Sequence, residues 1–509
     1  MKSGCMPLRI VGTIVLLLIV NLNNSLAQIP GLSKIDVNSG AASSYPLYLT
    51  EFNGKPYFFG NESTKGYELR TINSAGAPIL VHDLYPLTTS CTAPGFNKPT
   101  GVLSGKLYFT ADNGLTGYEL FVYDGTNPPT LAQDIVLGAA GSSPDDYASL
   151  NGKLYFRAVD NVHGYELWQY DPVTTNTTRL TDLCAGIDSS LAGDIIAYNN
   201  KIVFAADSGK GNTELFQYDP TSGNVSLIAD IYPGTLPSSP KHFIIIGTTL
   251  YFTANNGNQG RELYTYDGVN APQRITDIAG GNTSAFASYS EPMIASFAGK
   301  IYVAARDTFT YNYNIFSIDG SNTATLAATI NGTNNSEPSW LTPFAGKLYL
   351  TAYNDTTGFE LWTIDSSNKA ALAFELCAGS GSSDPEQLLV IGNDLFFRAT
   401  ECLGVGSEVF RYNYKSVGIE NVTNNNTATV YPNPAETIAT IQLTQATATD
   451  VQIQLTDMTG RVVYNDAQHL SSGTQKINIP VADLPSGNYI YHIYSADGNT
   501  RLNGKLAVK

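Results

Sequence analysis

The residues best suited to chemistry in this 509-residue chain are the carboxylates of a recurring glutamate: Glu68, Glu119, Glu166, Glu214, Glu262, Glu360 and Glu408. Asn314 fills the one place where the series is broken. Two convergent carboxylates would suit glycoside hydrolysis, one as acid and one as nucleophile or base. With Asn314 included the places recur at intervals of 46 to 52 residues, and a carboxylate repeated seven times cannot be a general acid in every copy. The expected role is structural hydrogen bonding within each repeat, and no catalytic residue is assigned. The five histidines, His82, His163, His242, His469 and His492, form no HExxH or i, i+4 pair, so no histidine-built zinc site is expected. GxSxG is absent, and Gly379-Ser380-Gly381 opens no helix that could cradle a phosphate. Loops such as Ala111-Asp112-Asn113-Gly114 and Asp160-Asn161 offer hard oxygens of the kind that bind Ca²⁺. They lack the alternating acid series of a calcium loop, so Asx-turns are expected there and no resident cofactor is assigned.

What must position these groups is a repeat. Its unit is clearest in LSGKLYFTADNGLTGYELFVYDGTNPPTLAQDI from Leu103, and it recurs as LNGKLYFRAVDNVHGYELWQYD from Leu150 and FAGKLYLTAYNDTTGFELWTID from Phe344. Eight copies are counted. Each reads as four short strands joined by Asn-Gly, Ala-Gly, Asp-Gly or Asp-Pro turns, the first and third of which accept positive φ at little cost. In Leu107–Thr110 successive side chains point to opposite faces, yet both faces are apolar or aromatic. A sheet with two dry faces needs a neighbour on each side. Four-stranded units of this length around an axis, an eight-bladed β-propeller, meet that need.

The ends of the array argue for closure. After the fourth strand comes an acidic residue, Gly four later and Pro ten later, as in Asp134/Gly138/Pro144, Asp230/Gly234/Pro240 and Glu375/Gly379/Pro385. The eighth copy stops at Tyr412 without this phrase, and Asp36/Gly40/Pro46 supplies it with the same spacing. Ser33–Val37 is therefore expected to form the outer strand of the last blade. The repeat resembles the ELWxxDGT-type repeats of secreted Bacteroidota proteins, through Glu166-Leu167-Trp168, Glu360-Leu361-Trp362 and Glu119-Leu120-Phe121 with Asp124-Gly125-Thr126. That resemblance spans about residues 30–415 and implies a fold, with little chemistry attached.

Both termini read as addresses. Lys2 and Arg9 precede the apolar run Ile10–Val20, and Ser25-Leu26-Ala27 follows, which describes a secretory signal over 1–27 cleaved between Ala27 and Gln28. The run is too short to span a bilayer, so no transmembrane segment is expected. An Asn-rich linker occupies 416–427, and short strands separated by turns over 428–509 suggest a small Ig-like β-sandwich. This tail resembles a type IX secretion sorting domain of type A. The residues that carry the likeness are Tyr431-Pro432-Asn433-Pro434, Gly460 within Asp457–Val463, Gly487 within Leu484–Tyr489, and Lys505 to Lys509. The resemblance implies Sec export, engagement of the type IX machinery, and delivery to the surface or medium of a Gram-negative bacterium.

Four cysteines follow the leader, Cys91, Cys184, Cys377 and Cys402. In an exported protein an even number suggests disulfides: Cys377–Cys402 joins neighbouring blades most simply, Cys91–Cys184 would be a second bridge across two blade steps, and free buried thiols are the alternative. With 28 Lys and Arg against 44 Asp and Glu, a net charge of −16 and no basic run, nucleic acid is excluded as a partner on electrostatic grounds. The reading that remains is a surface-delivered propeller that binds a glycan or protein. An extracellular carbohydrate-active hydrolase or lyase, or a structural surface component, is the alternative.

Overall fold

The computed structural model describes residues 29–38, 42–86, 88–209, 211–286, 293–307, 310–401, 405–414, 428–445, 448–457, 461–495 and 501–509. The leader with its Ala27–Gln28 junction, Cys402, the 416–427 segment and Gly460 lie outside them. Among the described residues every extended element is a β-strand, and no helix is long and apolar enough to cross a membrane. The chain divides into two compact units, Met1–Val417 and Gly418–Lys509.

The first unit consists of four-stranded antiparallel sheets arranged like propeller blades. The second sheet is typical, with strands Thr100–Leu103, Lys106–Ala111, Glu119–Tyr123 and Thr130–Gln133 paired in chain order. Its second strand shows why a neighbour is needed on both sides. Leu107, Phe109 and Ala111 pack with Phe52 and Phe59 of the sheet before, while Tyr108 packs with Leu154 and Phe156 of the sheet after. Each buried Leu or Phe among them contributes about 1.5–3 kcal/mol by leaving water.

The first strands of successive sheets touch in order: Leu47–Phe52, Thr100–Leu103, Asp145–Leu150, Leu191–Tyr198, Lys241–Ile246, Ile294–Phe297, Ser339–Phe344 and Glu386–Ile391. The last of these also touches the first. The sheet built on Glu386–Ile391, Asp394–Glu401 and Val405–Asn413 takes its fourth strand from the N-terminal end of the unit, Leu32–Ile35. Leu32 lies opposite Tyr412 and Ile35 opposite Val409. The strand starts and ends slightly earlier than the Ser33–Val37 expected from the phrase spacing, because Asp36 and Val37 already belong to the loop that returns toward Ser44.

The second unit has two antiparallel sheets. One contains Ala428–Tyr431, Ile438–Gln445 and Gly473–Pro480; the other contains Val462–Leu470, Thr449–Asp457, Gly487–Ser495 and Arg501–Val508. Ile441 and Ile477 from the first sheet share one core with Ile453, Ile493 and Leu506 from the second. The apolar pattern locates five of these strands but not the first and last. Those two carry the Tyr431 and Lys505 motif residues, where prolines and lysines interrupt the alternation.

Candidate functional site

The repeated glutamates are buried, with relative exposure between 0% and 2%. Each sits at or near the start of a third strand and accepts hydrogen bonds from the loop that leaves the fourth strand. Glu119 accepts from the Val136 N–H (2.9 Å) and the Ser142 hydroxyl (2.5 Å). Glu214 accepts from the Ile231 N–H (2.8 Å) and from Ser238 through both its N–H (2.9 Å) and hydroxyl (2.5 Å). Glu360 does the same with the N–H groups of Leu376 (3.2 Å) and Cys377 (3.1 Å) and the Ser383 hydroxyl (2.5 Å). Glu68 takes the N–H groups of Leu84 and Cys91, Glu166 the hydroxyls of Thr181 and Ser190, and Glu262 the Thr276 hydroxyl and the Ile278 N–H. Glu408 reaches across the chain ends to the Val37 N–H (3.2 Å) and to the Ser44 N–H (2.9 Å) and hydroxyl (2.5 Å). Asn314 retains one such bond, accepting the Ser336 hydroxyl at 3.1 Å. Burial pushes the carboxyls of Glu68 and Glu360 up to about 7, and raises those of Glu119, Glu214, Glu262 and Glu408, although their hydrogen-bond donors pull the other way. These side chains fasten each blade to its outgoing loop.

The loops weighed as Ca²⁺ ligands use their oxygens locally. Asp112 accepts the Gly114 N–H at 2.7 Å, Asn113 the Leu115 N–H at 2.9 Å, and Asp160 the N–H groups of Val162 and His163. Among the described residues no group of three or more His, Cys, Asp or Glu could hold a metal ion.

The feature that repeat counting misses lies on the first strands. Six of them carry a one-residue β-bulge at the same level, for example between Leu47 and Thr50 opposite Phe59 and Tyr57. At each bulge a residue other than glycine adopts left-handed backbone: Tyr48, Asp146, Asp194, His242, Trp340 and Gln387, with φ between 56° and 59°. This conformation costs of order 1 kcal/mol or more per residue and clusters at functional sites. A sequence signal existed, since five of the six lie two residues after a proline (Pro46, Pro144, Pro240, Pro338 and Pro385).

Tyr48, Trp340 and Gln387 line a cavity of about 480 Å³ together with Phe96, Asn97 and Lys98. The lining comes from the first, second, seventh and eighth sheets, whose first strands are neighbours in the order of contacts. Tyr48 is fixed by its hydroxyl, which donates to the Ala93 carbonyl (2.9 Å) and accepts the Phe96 N–H (3.0 Å). Gln387 accepts the Leu49 N–H at 2.9 Å. Trp340 also borders a second cavity of about 430 Å³ lined by Glu337, Phe359, Asp384 and Glu386. Elsewhere on this level two acids are already partnered. Asp145 pairs with Arg157, while Asp146 accepts from Asn97 (2.7 Å) and the Asp194 N–H (3.0 Å), and burial lifts its carboxyl to about 6.

Cys91 and Cys184 are free and buried, which removes the Cys91–Cys184 bridge, whereas Cys377 is disulfide-bonded. Non-reducing peptide mapping is expected to recover Cys377 linked to Cys402 and to alkylate Cys91 and Cys184 only after unfolding. Free Cys377 and Cys402 in that map would remove the bridge.

In the second unit Tyr431, Pro432, Asn433 and Pro434 form an exposed turn whose Asn433 bonds the terminal strand. Lys505 and Lys509 lie exposed on that strand, and Gly487 pairs with Val508.

The family model described as a secretion system C-terminal sorting domain matches residues 429–509. The tail therefore marks an exported protein, delivered to the cell surface or released, and one that engages the secretion machinery. No curated protein matches the chain. Among solved structures the chain is similar in part to a puromycin hydrolase S511A mutant complexed with PGG (14% identity, 70% of this chain and 58% of that one, TM-score 0.41). A Mycobacterium tuberculosis puromycin-hydrolyzing peptidase follows at 11% identity, 73% and 60% coverage and TM-score 0.43. The SapL1 lectin in complex with alpha methyl fucoside matches at 10% identity, 55% and 97% coverage and TM-score 0.29. The chain spans 58% and 60% of the length of the two hydrolases.

Proposed function

We propose that the mature protein is an eight-bladed propeller of the ELWxxDGT-repeat kind that binds an extracellular glycan in its axial cavity. In this reading Sec exports it in a Bacteroidota host with cleavage after Ala27, and an Ig-like type IX tail beyond the 416–427 linker directs it outward. The observation that carries the ligand is the level of left-handed residues bearing Tyr48, Trp340 and Gln387 on one cavity wall. Left-handed backbone there places two aromatic rings on one wall, with Lys98 beside them, while the Gln387 amide is held by the Leu49 N–H and the Pro46 carbonyl. An apolar ring face with a few convergent polar groups is the usual composition of a small-ligand site, and it suits the alternating CH and OH faces of a sugar.

The test is a glycan array probed with residues 28–427 and with the Trp340→Ala variant. Selective binding of intact glycan is expected, weakened about 30-fold by the substitution if the indole contributes as an aromatic anchor, about 2 kcal/mol. Binding is expected to survive chelator, because the Asp112 and Asp160 oxygens are engaged in turns. Binding that Trp340→Ala leaves unchanged would sink the axial assignment, and shortened glycans would make the protein a hydrolase or lyase. The hydrolase reading gains nothing from Asp145 and Asp146, both buried and partnered.

A further inference from the structure

Six of the first strands are entered through a turn whose frame repeats while the residue it displays changes. The residue before the proline has left-handed backbone in each: Tyr45, Lys98, Ser143, Ser239, Glu337 and Asp384, with φ between 39° and 46°. The proline pins one flank by fixing its own φ. In five of the six the other flank is the serine that donates to the repeated Glu or to Asn314. With both flanks held, the side chain between them changes from aromatic to basic, hydroxyl or acidic without disturbing the blade.

Lys98 brings this variation into the cavity of Tyr48 and Trp340, where it is the one charged residue among the described lining residues. Its neighbours have spent their polar atoms. The Tyr48 hydroxyl and the Gln387 amide are both engaged, and the Asn97 amide donates to Asp146 at 2.7 Å. Asp146 feels the Lys98 charge, but its oxygens take Asn97 and the Asp194 N–H. Among the described residues neither the Lys98 ammonium nor the Trp340 indole N–H has a hydrogen-bond partner. The cavity therefore offers a cation and a neutral donor to a ligand, and a negatively charged acceptor uses both.

The far side of Trp340 has the opposite sign. The adjoining cavity is lined by Glu337, Asp384 and Glu386, of which Glu386 is paired with Arg398. A second negative group on the ligand would meet Glu337 and Asp384 there, and like charges brought together across an interface are costly.

We infer that the glycan held in the Tyr48–Trp340 cavity carries a single acidic sugar, its negative group on Lys98, with neutral sugars continuing past Trp340. This rests on the glycan reading above and adds the ligand's charge to it. Lys98 is a specificity residue that touches the ligand; Glu337 and Asp384 act by excluding a second acid. Lys is a point charge and does not separate carboxylate from sulfate, so the shared chemistry is one anionic substituent.

The experiment probes the full chain on a glycan array of matched pairs. Each pair is an acidic glycan and its neutral counterpart, either a uronate with its carboxyl-reduced form or a sulfated sugar with its desulfated form; tetragalacturonate is the polyanion. The acidic member is expected to bind about tenfold more tightly than its partner, as for a hydrogen bond to a charged group. Lys98→Met is expected to make the members of each pair equal, and Lys98→Arg to keep the preference. The double variant Glu337→Gln/Asp384→Asn is expected to gain binding to tetragalacturonate. Equal binding within pairs by the parent, with Trp340→Ala still weakening both members, would overturn the acidic sugar and leave the glycan site standing. A preference that survives Lys98→Met would overturn it as well. Parent binding to tetragalacturonate as tight as to a singly acidic glycan would overturn the exclusion of a second acid. Binding that Trp340→Ala leaves unchanged, or no glycan bound at all, would end both this inference and the glycan reading.

Discussion

Deleting residues 29–37 will open the eighth sheet and cost the first unit about 4 kcal/mol or more. The deletion removes the strand Leu32–Ile35 from its pairing with Val409–Tyr412. Ile35, only 2% exposed, loses a burial worth about 1.5–3 kcal/mol, and each lost ladder hydrogen bond adds about 1 kcal/mol. Glu408 loses the Val37 N–H and keeps only Ser44. The newly exposed edge at Val409–Tyr412 is also a template for aggregation. Urea unfolding of residues 28–427 with and without the deletion measures the effect. Restoration of the midpoint by an added peptide covering 28–46 would identify the strand itself as the cause. A deletion variant as stable as the parent would show that the N-terminal strand does not hold the unit closed.

The second large effect is a stability that falls as pH rises from 5 to 8. An acid whose folded pKa is raised above its unfolded value near 4.3 stabilises the fold fully below that value. The contribution is lost as pH climbs through the folded pKa, which for Glu68 and Glu360 lies at about 7. Each site is expected to contribute between roughly 1 and 3 kcal/mol across this window. The raised carboxyls of Glu119, Glu214, Glu262, Glu408 and Asp146 act in the same direction. Glu360 has a way to accommodate its proton: Ser383, which donates to Oε2, lies 3.5 Å from the Phe359 carbonyl and can turn its hydroxyl there while accepting from the acid. Chemical unfolding at pH 5 and pH 8 should give the lower midpoint at pH 8, and Glu360→Gln should reduce the difference by that one site's share. A midpoint that rises with pH would mean that the N–H donors outweigh burial at these sites.

The glutamates show how far spacing alone reaches. Their period marks them as structural, yet the partners of Glu119, the Val136 N–H and the Ser142 hydroxyl, lie 17 and 23 residues downstream. Only the folded loop brings both to one carboxylate. Gly141 in that loop shows how close the approach is: at φ 70°, an added Cβ would lie 2.5 Å from the Tyr118 nitrogen. The phrase Asp134/Gly138/Pro144 recorded that loop in sequence without revealing what it closes upon.

By itself the sequence determined the strands of the first unit, their grouping in fours, the exchange of the N-terminal strand, and five of the seven strands of the sorting tail. All of these rest on short-range information: side-chain alternation of period two, turn residues that accept positive φ, and a phrase whose spacing repeats. What only the tertiary structure decided is which side chains meet. Tyr48, Trp340 and Gln387 lie on three different sheets, and nothing in their local sequences places them on one cavity wall. Asn433 and Ala507 likewise meet only when the tail closes. Contacts of that separation are set by the packing of whole sheets, where each apolar face seeks a neighbour irrespective of what its bulges carry.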